Sequence, residues 1–270
     1  MRSDHPLCRF ARPPTVTVSL LAAASAAGCG LASEPPAVVI PVETSAAGLR
    51  AHATDLGYEV EIDELRVAMR DIQFTVGGEE HDFADRPADL AKPREERDHE
   101  PAYHPGHAVG GEVMGELPGD LIADLSSDGG SLGDATLIAA DYDGADFEFR
   151  LAHAEDEGVE DDDPLVGYSV YVKGRAERDG DSYPFDARLD MEGAGLEGIP
   201  FDVTVDEEAP AALALEIAAD AAGLSLLDNV AFASIEAGDD ETLQIRPGSG
   251  AHDRLVTNLG RHEHYAFRAR

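Results

Sequence analysis

Alternating apolar and polar residues recur along most of the chain after residue 50, which is the pattern of half-buried β-strands. Tyr58, Val60 and Ile62, for example, alternate with acidic residues. Short strands at this spacing are typical of sandwiches and barrels. Further strands are predicted at residues 65–69, 72–76, 121–125, 136–142, 147–151, 168–172, 185–191, 199–205, 213–217, 230–235 and 243–245.

Breaks in the alternation predict a bulge and two tight turns. The phase shifts between Met69 and Ile72, which predicts a β-bulge near Asp71. Asp143-Gly144 and Asp179-Gly180 each lie between two strand-like runs and predict hairpin turns.

Helical patterns are scarce, and the two longer ones lie in the last quarter of the chain. They cover residues 218–227 and 249–259, and Gly260 is expected to end the second helix. We therefore predict an all-β fold, an antiparallel β-sandwich or barrel-like domain with one long loop rich in histidine and acid, and one or two short helices.

The first thirty residues carry an export signal. Three arginines precede the apolar run 16–27, which has the length of a signal-peptide core and is too short to span a bilayer. The run ends in Ala26-Ala27-Gly28-Cys29, which resembles the lipobox of bacterial lipoproteins. This resemblance covers only that segment. It implies cleavage before Cys29, lipidation of Cys29 and, because Gly30 follows, an outer-membrane location in a diderm cell.

The export signal sets the expected domain boundaries. We expect a signal peptide over residues 1–28, the lipidated Cys29 with a flexible tether over residues 29–50, and one β-rich domain over residues 51–270. The domain would then face the periplasm or the cell surface. An ordinary secretory signal, cut near residues 22–24, is the alternative.

Charge and cysteine content limit the partners. With 55 acidic against 20 basic residues, the formal charge of −35 repels phosphate backbones, so we expect no nucleic-acid partner. Cations are favoured instead, and a protein partner is left open. The two cysteines are Cys8, inside the signal peptide, and Cys29, so the mature domain has no disulfide and no thiolate metal ligand.

One long segment, residues 77–118, lacks strand periodicity and is expected to be a loop that is either functional or disordered. It includes His104-Pro105-Gly106-His107, where Pro-Gly favours a type II turn that brings two imidazoles together. His81 follows the preceding strand closely. Glu112 and Glu116, four residues apart, would share one face of a short helix and could add carboxylate ligands or orient the imidazoles.

The second histidine group is at the C-terminus, in His262-Glu263-His264. If this segment is a strand, the two histidines point to one face and Glu263 to the other. A terminal strand beside a loop from the first half of the chain would then unite four imidazoles.

Imidazole and carboxylate ligands without cysteine are typical of zinc or copper sites. The predicted function is therefore that of an exported, lipid-anchored protein that captures, stores or handles a divalent metal. The alternatives are a structural or adhesive β-domain without metal, and a metal-dependent hydrolase in which Glu112 or Glu116 is the general base. Nucleophile-elbow, phosphate-loop and dinucleotide motifs do not occur in the sequence.

Overall fold

The computed structural model describes residues 36–80, 108–109, 111–160, 162–206, 209–221, 223–238 and 241–270. Strands dominate these residues, so the prediction of an all-β fold is confirmed. The strands are β1 Ala37–Ser45, β2 His52–Ala53, β3 Glu59–Val76, β4 Glu79–Glu80, β5 Ala108–Val109, β6 Glu112–Asp124, β7 Ser131–Ile138, β8 Ala140–Phe149, β9 Val170–Arg178, β10 Asp181–Leu189, β11 Gly195–Val205, β12 Leu213–Ile217, β13 Asp220–Ala221, β14 Leu224–Ser225, β15 Leu243–Ile245 and β16 Tyr265–Ala269.

Twelve of these strands form one large sheet, in the order β15-β10-β9-β3-β6-β7-β1-β12-β16, with β2 and β8 also paired to β3, and β11 paired to β8. The sheet is mixed rather than purely antiparallel, because β1 runs parallel to β12 and β10 runs parallel to β15. The four remaining strands form two short ladders, β4 with β5 and β13 with β14.

The 18-residue strand β3 organises the sheet. On one side it pairs first with β9 and then with β8, and on the other side with β2 and then with β6. The register shifts between Arg70 and Ile72, and Asp71 takes the left-handed φ of 52°. The bulge predicted near Asp71 is thereby confirmed, and it marks the place where β8 replaces β9 as the neighbour of β3.

The sheet curls, so that β16 contacts β11 although the two are not hydrogen-bonded neighbours. Aromatic rings fill the space enclosed by the curl. The Phe267 ring on β16 has its centroid 5.2 Å from that of Phe74 on β3 and 6.0 Å from that of Phe201 on β11. All three side chains are buried. The C-terminal strand therefore completes the hydrophobic core.

Two predicted turns have different outcomes. Asp179-Gly180 joins β9 and β10 with φ of 58° and 92°, as a type I′ hairpin requires. The hairpin at Asp143-Gly144 is wrong, because both residues lie inside β8. There Gly144 pairs with Thr75 of β3 on one side and Pro200 of β11 on the other.

The helix predictions are half right. Helix α1, Gly250–Leu259, begins after the N-cap Ser249, whose side chain accepts a hydrogen bond from the His252 N–H, and ends at Gly260. The helix predicted at residues 218–227 is replaced by the β13–β14 hairpin, whose turn contains Gly223 at φ 82°. The strand predicted at residues 230–235 is a 3₁₀ turn, Phe232–Ser234.

Two predicted irregular segments are longer than the structure shows. The tether predicted over residues 29–50 contains β1, which lies between β7 and β12. The loop predicted over residues 77–118 is shortened at its far end, because β6 begins at Glu112. Strands β4 and β5 also pair, which brings Glu80 opposite Ala108.

The acidic run over residues 155–163 is attached to the sheet by two arginines. Arg150 bonds Asp156 at 2.7 Å, and Arg66 bonds Asp163 at 2.5 Å. Burial alone would raise the pKa of Asp156, but the hydrogen bond and charge of Arg150, with the His153 N–H, outweigh it and hold that pKa below its ordinary value. Part of this run is thus structural.

Replacing Asp146 by asparagine is expected to stabilise the fold at pH 7. Asp146 accepts the Gly198 N–H at 2.7 Å, and burial, with Glu197 nearby, raises the pKa of its carboxyl. Because the carboxyl has a higher pKa in the folded than in the unfolded state, it favours the fold at pH values below its unfolded pKa of about 3.9. This advantage is lost as the pH rises through the folded pKa. Asparagine keeps the acceptor without the charge.

Thermal unfolding should therefore show that Asp146→Asn raises the free energy of unfolding by less than about 1 kcal/mol at pH 7. This difference from wild type should disappear near pH 3. The exposed Asp202→Asn is the control. A lower melting temperature for Asp146→Asn at pH 7 would contradict the assignment.

Within the described residues, no helix combines the length and the hydropathy needed to span a membrane.

Candidate functional site

The last residue of β3, which leads into the long loop, and the C-terminal histidines lie at opposite ends of the sheet. Following the pairing from β3 through β6, β7, β1 and β12 to β16 shows that β3 and β16 run in the same direction. The long loop follows the end of β3, whereas the C-terminal histidines precede the start of β16. We call these the loop end and the turn end of the sheet.

The Phe74 and Phe267 rings are in contact, so these two residues lie at about the same height along β3 and β16. Val76 lies two residues beyond Phe74, and His264 lies three residues before Phe267. At about 3.3 Å per residue, His264 and the last residue of β3 are separated by roughly 15–20 Å along the strands.

Glu112 and Glu116 lie on β6 and not on the predicted helix. Both are exposed, and Glu112 pairs with Val76 while Glu116 pairs with Gln73. Four residues span about 13 Å in a strand but only about 6 Å in a helix. The two carboxylates therefore lack the close spacing that the sequence suggested.

His262 and His264 belong to a 3₁₀ turn, His262–His264, and β16 begins only at Tyr265. The expected strand is wrong here, because the chain must reverse between helix α1 and β16. Residues two apart in a 3₁₀ turn are rotated by about 240°, so the two imidazoles do not share a face. Both are nevertheless buried, with exposures of 5% and 1%.

The His264 ring is fixed by a backbone carbonyl. Its Nδ1 lies 2.9 Å from the Ala218 oxygen, and the Ala218 N–H donates to the His264 carbonyl at 2.7 Å. Because a carbonyl only accepts, Nδ1 carries the proton and Nε2 of the neutral ring carries a lone pair. Nε2 is buried and has no hydrogen-bond partner among the residues that the structure describes. Burial lowers the pKa of His264, against the raising effects of the Ala218 bond and of Glu263.

His262 lies beside the carboxylate of Glu263. Its Nε2 is 3.6 Å from the Glu263 Oε2, and both atoms are buried. Glu263 and His264 also border a cavity of about 140 Å³. Glu216 of β12, Arg268 of β16 and Pro200 of β11 line the same cavity, which places it where the edges of the curled sheet meet.

His52 and His153 differ from His264, whereas His252 resembles it. His52 places Nδ1 3.1 Å from the Arg50 carbonyl and Nε2 2.7 Å from the Ser225 hydroxyl, so both ring nitrogens are engaged. His153 is exposed. His252 is buried in the first turn of α1, with Nδ1 3.3 Å from Asp253, and its Nε2 is likewise buried without a hydrogen-bond partner among the described residues.

Only part of the predicted ligand set can be placed. His81, His104 and His107 lie outside the described residues, so whether they join a site with His262 and His264 stays a prediction. Among the residues that the structure describes, no group of three or more histidine, cysteine or acidic side chains could hold a metal ion. Of the predicted set, His262 and His264 share the turn end, and Glu112 and Glu116 lie on β6.

Glu263 was not predicted to be a neighbour of the histidines. In a strand Glu263 would point away from both, whereas the turn brings its carboxylate beside His262. The available signal was Gly260, which ends helix α1 only two residues before His262. So short an interval between a helix stop and a buried strand favours a tight turn over an extended start.

Comparison with protein-family models, with curated proteins and with solved structures found no match to this chain.

Proposed function

We propose that this protein is an exported, lipid-anchored protein that binds a divalent transition metal, zinc or copper, and handles it at the cell envelope. The anchor is Cys29 of the lipobox-like segment. It would hold the domain on the outer membrane, facing the periplasm or the surface.

One observation carries the metal-binding part of the proposal: the orientation of His264. Metal-binding histidines typically donate one ring N–H to a carbonyl or carboxylate, which leaves the other nitrogen free to bind the ion. His264 has this arrangement, with Nδ1 directed at Ala218 and a buried Nε2 that has no partner within the described part of the chain. A buried polar atom without a partner is costly, and a bound cation would remove that cost.

The chemistry of the available donors supports zinc or copper over calcium or magnesium. Imidazole nitrogen suits transition metals, whereas calcium and magnesium favour oxygen ligands alone. The formal charge of −35 raises the local concentration of any cation. His81, His104 and His107 remain candidate ligands from sequence.

Two other functions are less well supported. For a hydrolase, the most suggestive pair is Ser225 with His52, but the two side chains are only 4% and 8% exposed. The Ser225 hydroxyl also accepts the Leu227 N–H, as a structural turn requires. Neither Glu112 nor Glu116 lies beside a described histidine. A structural or adhesive domain without metal has no specific observation in its favour.

Mature protein dialysed against zinc or copper is expected to retain the metal in a fixed ratio and to melt at a higher temperature with it, because a ligand that binds only the native state stabilises that state. His264→Ala should lower metal content, and His104→Ala should do the same if the loop contributes. Elemental analysis and thermal melting measure both effects.

His153→Ala removes an exposed histidine and is the matched control. A wild-type protein that retains neither metal, and whose melting temperature neither metal changes, would overturn the proposed function.

A further inference from the structure

The cavity that His264 borders is also lined by a carboxylate from the neighbouring strand, that of Glu216 on β12. Ala218 of the β12 segment donates its N–H to the His264 carbonyl, and Glu216, two residues earlier, pairs with Ala266, two residues later. Glu216 and His264 are therefore diagonal neighbours. Residues in this relation lie about 7–8 Å apart, which long side chains can bridge. One ion between the two side chains can thus contact both.

A buried hydroxyl orients the Glu216 carboxylate. The Ser45 hydroxyl accepts the Ala47 N–H at 3.3 Å and donates to the Glu216 Oε1 at 3.1 Å. Arg270 approaches the same oxygen, at 3.9 Å. Because both polar partners that the described residues supply lie at Oε1, the other carboxylate oxygen is left for a ligand.

Glu216 and His264 share the arrangement of metal ligands that are oriented from behind. In each side chain one polar atom is engaged by the protein, by Ser45 in the first and by the Ala218 carbonyl in the second. Such outer contacts are typical of ligating carboxylates and imidazoles. Arg270 competes weakly for Glu216, since the pair is 3.9 Å long and the arginine side chain is 38% exposed.

The cavity supplies the remaining coordination positions. Its volume of about 140 Å³ leaves room for water beside the two side chains. Within the described part of the chain, no group of three or more histidine, cysteine or acidic side chains could hold a metal ion. Water must therefore complete any coordination shell that His264 and Glu216 begin.

We propose that His264 and Glu216 together bind a divalent transition metal at this cavity, that water completes the coordination, and that the site does not require the long loop. The inference rests on the proposed metal-binding function, and it adds a ligand, Glu216, and an orienting residue, Ser45. Structural zinc sites are closed by four protein ligands. A site with two protein ligands exchanges its ion more readily, which suits capture and delivery better than permanent storage.

Copper(II) is the probe, added to the complete mature chain and followed by calorimetric titration and electron paramagnetic resonance. The chain carrying His81→Ala, His104→Ala and His107→Ala is expected to retain the site. In that background, Glu216→Gln should weaken copper binding at least about tenfold, since even outer-shell changes commonly cost that much. His264→Ala should also remove the nitrogen splitting from the resonance spectrum.

Asp128→Asn is the matched control. Asp128 also lies 3.9 Å from Arg270, but its side chain is 69% exposed and does not line the cavity. Its replacement removes the same charge from beside the same arginine, so the copper affinity should not change. Ser45→Ala leaves Glu216 without its orienting hydroxyl and should weaken copper binding by about tenfold.

The possible results separate the two proposals. If Glu216→Gln binds copper as tightly as its background, or if His264→Ala keeps the nitrogen splitting, the cavity site is wrong while the proposed function stands. The same holds if the triple loop variant loses all copper. If the wild-type chain binds neither copper nor zinc, the proposed function fails as well. Circular dichroism checks each fold, and Ser45→Ala carries the test if Glu216→Gln does not fold.

Discussion

Replacing Phe267 by alanine is expected to destabilise the protein by about 3–5 kcal/mol, because the change removes a buried ring and leaves a cavity. Phe267 is 1% exposed and packs on Phe74 and Phe201, so the ring joins β16 to strands on both sides of the curl. Urea denaturation at pH 7 measures the loss.

The same change tests the link between the core and the turn end. Phe267 lies three residues after His264, so loosening β16 should also lower copper affinity without altering any proposed ligand. Val39→Ala is the control, since Val39 is 63% exposed and its truncation should change stability by less than about 0.5 kcal/mol. A Phe267→Ala protein as stable as wild type would mean that β16 does not complete the core.

Replacing Arg150 by methionine is expected to lower the free energy of unfolding by about 3 kcal/mol or more. Arg150 is 5% exposed. Its guanidinium lies 2.7 Å from Asp156 and 3.4 Å from Asp120, and it donates to the Met69 and Leu151 carbonyls. Methionine preserves much of the volume but leaves these acceptors without a donor.

A double-mutant cycle with Asp156→Asn separates the charge pair from the remaining contacts, because the two losses should not be additive if the pair is coupled. Arg175→Met is the matched control. That arginine is 48% exposed and lies 3.6 Å from Glu61, so its loss should cost less than about 1 kcal/mol. Equal losses for Arg150→Met and Arg175→Met would contradict the assigned role of Arg150.

The pH dependence follows from the lowered pKa of Asp156. A depressed carboxyl pKa contributes stability above the unfolded value of about 3.9, and this contribution is lost as the pH falls through the lower, folded value. The difference between wild type and Asp156→Asn should therefore shrink in that acid range.

Local sequence patterns predicted the elements whose own residues favour the secondary structure that they adopt. The two-residue alternation from Tyr58 onward found β3, and the phase shift at Asp71 found its bulge, because burial of one face determines which residues alternate. Helix α1 was predictable because Ser249 and Gly260 cap it.

Long-range pairing decided the elements that local patterns mispredicted. Asp-Gly is a strong turn signal, yet Gly144 lies between β3 and β11 in a strand whose hydrogen bonds come from both neighbours. Residues 218–227 form a hairpin that the His52–Ser225 hydrogen bond ties to β2, a contact across 173 residues. Neither arrangement can be read from the adjacent sequence.

The histidine sites were predictable in composition but not in geometry. The sequence identified His262 and His264, but their relation to Glu263 depends on a three-residue turn without any periodic signal. The relative direction of β3 and β16 also cannot be read from local sequence, since it follows from the pairing of six strands. The separation of the loop end from the turn end could therefore emerge only from the complete topology.

The position of β1 has a mechanical consequence. This strand lies within the sheet, parallel to β12 and antiparallel to β7, and its hydrogen bonds run across the strand direction. A pull applied at Ala37, where a membrane-held chain would transmit force, acts along the strand and loads both ladders in shear. All of those bonds must then yield together, so the domain should resist being stretched from its N-terminus far better than a strand that can be peeled from an edge.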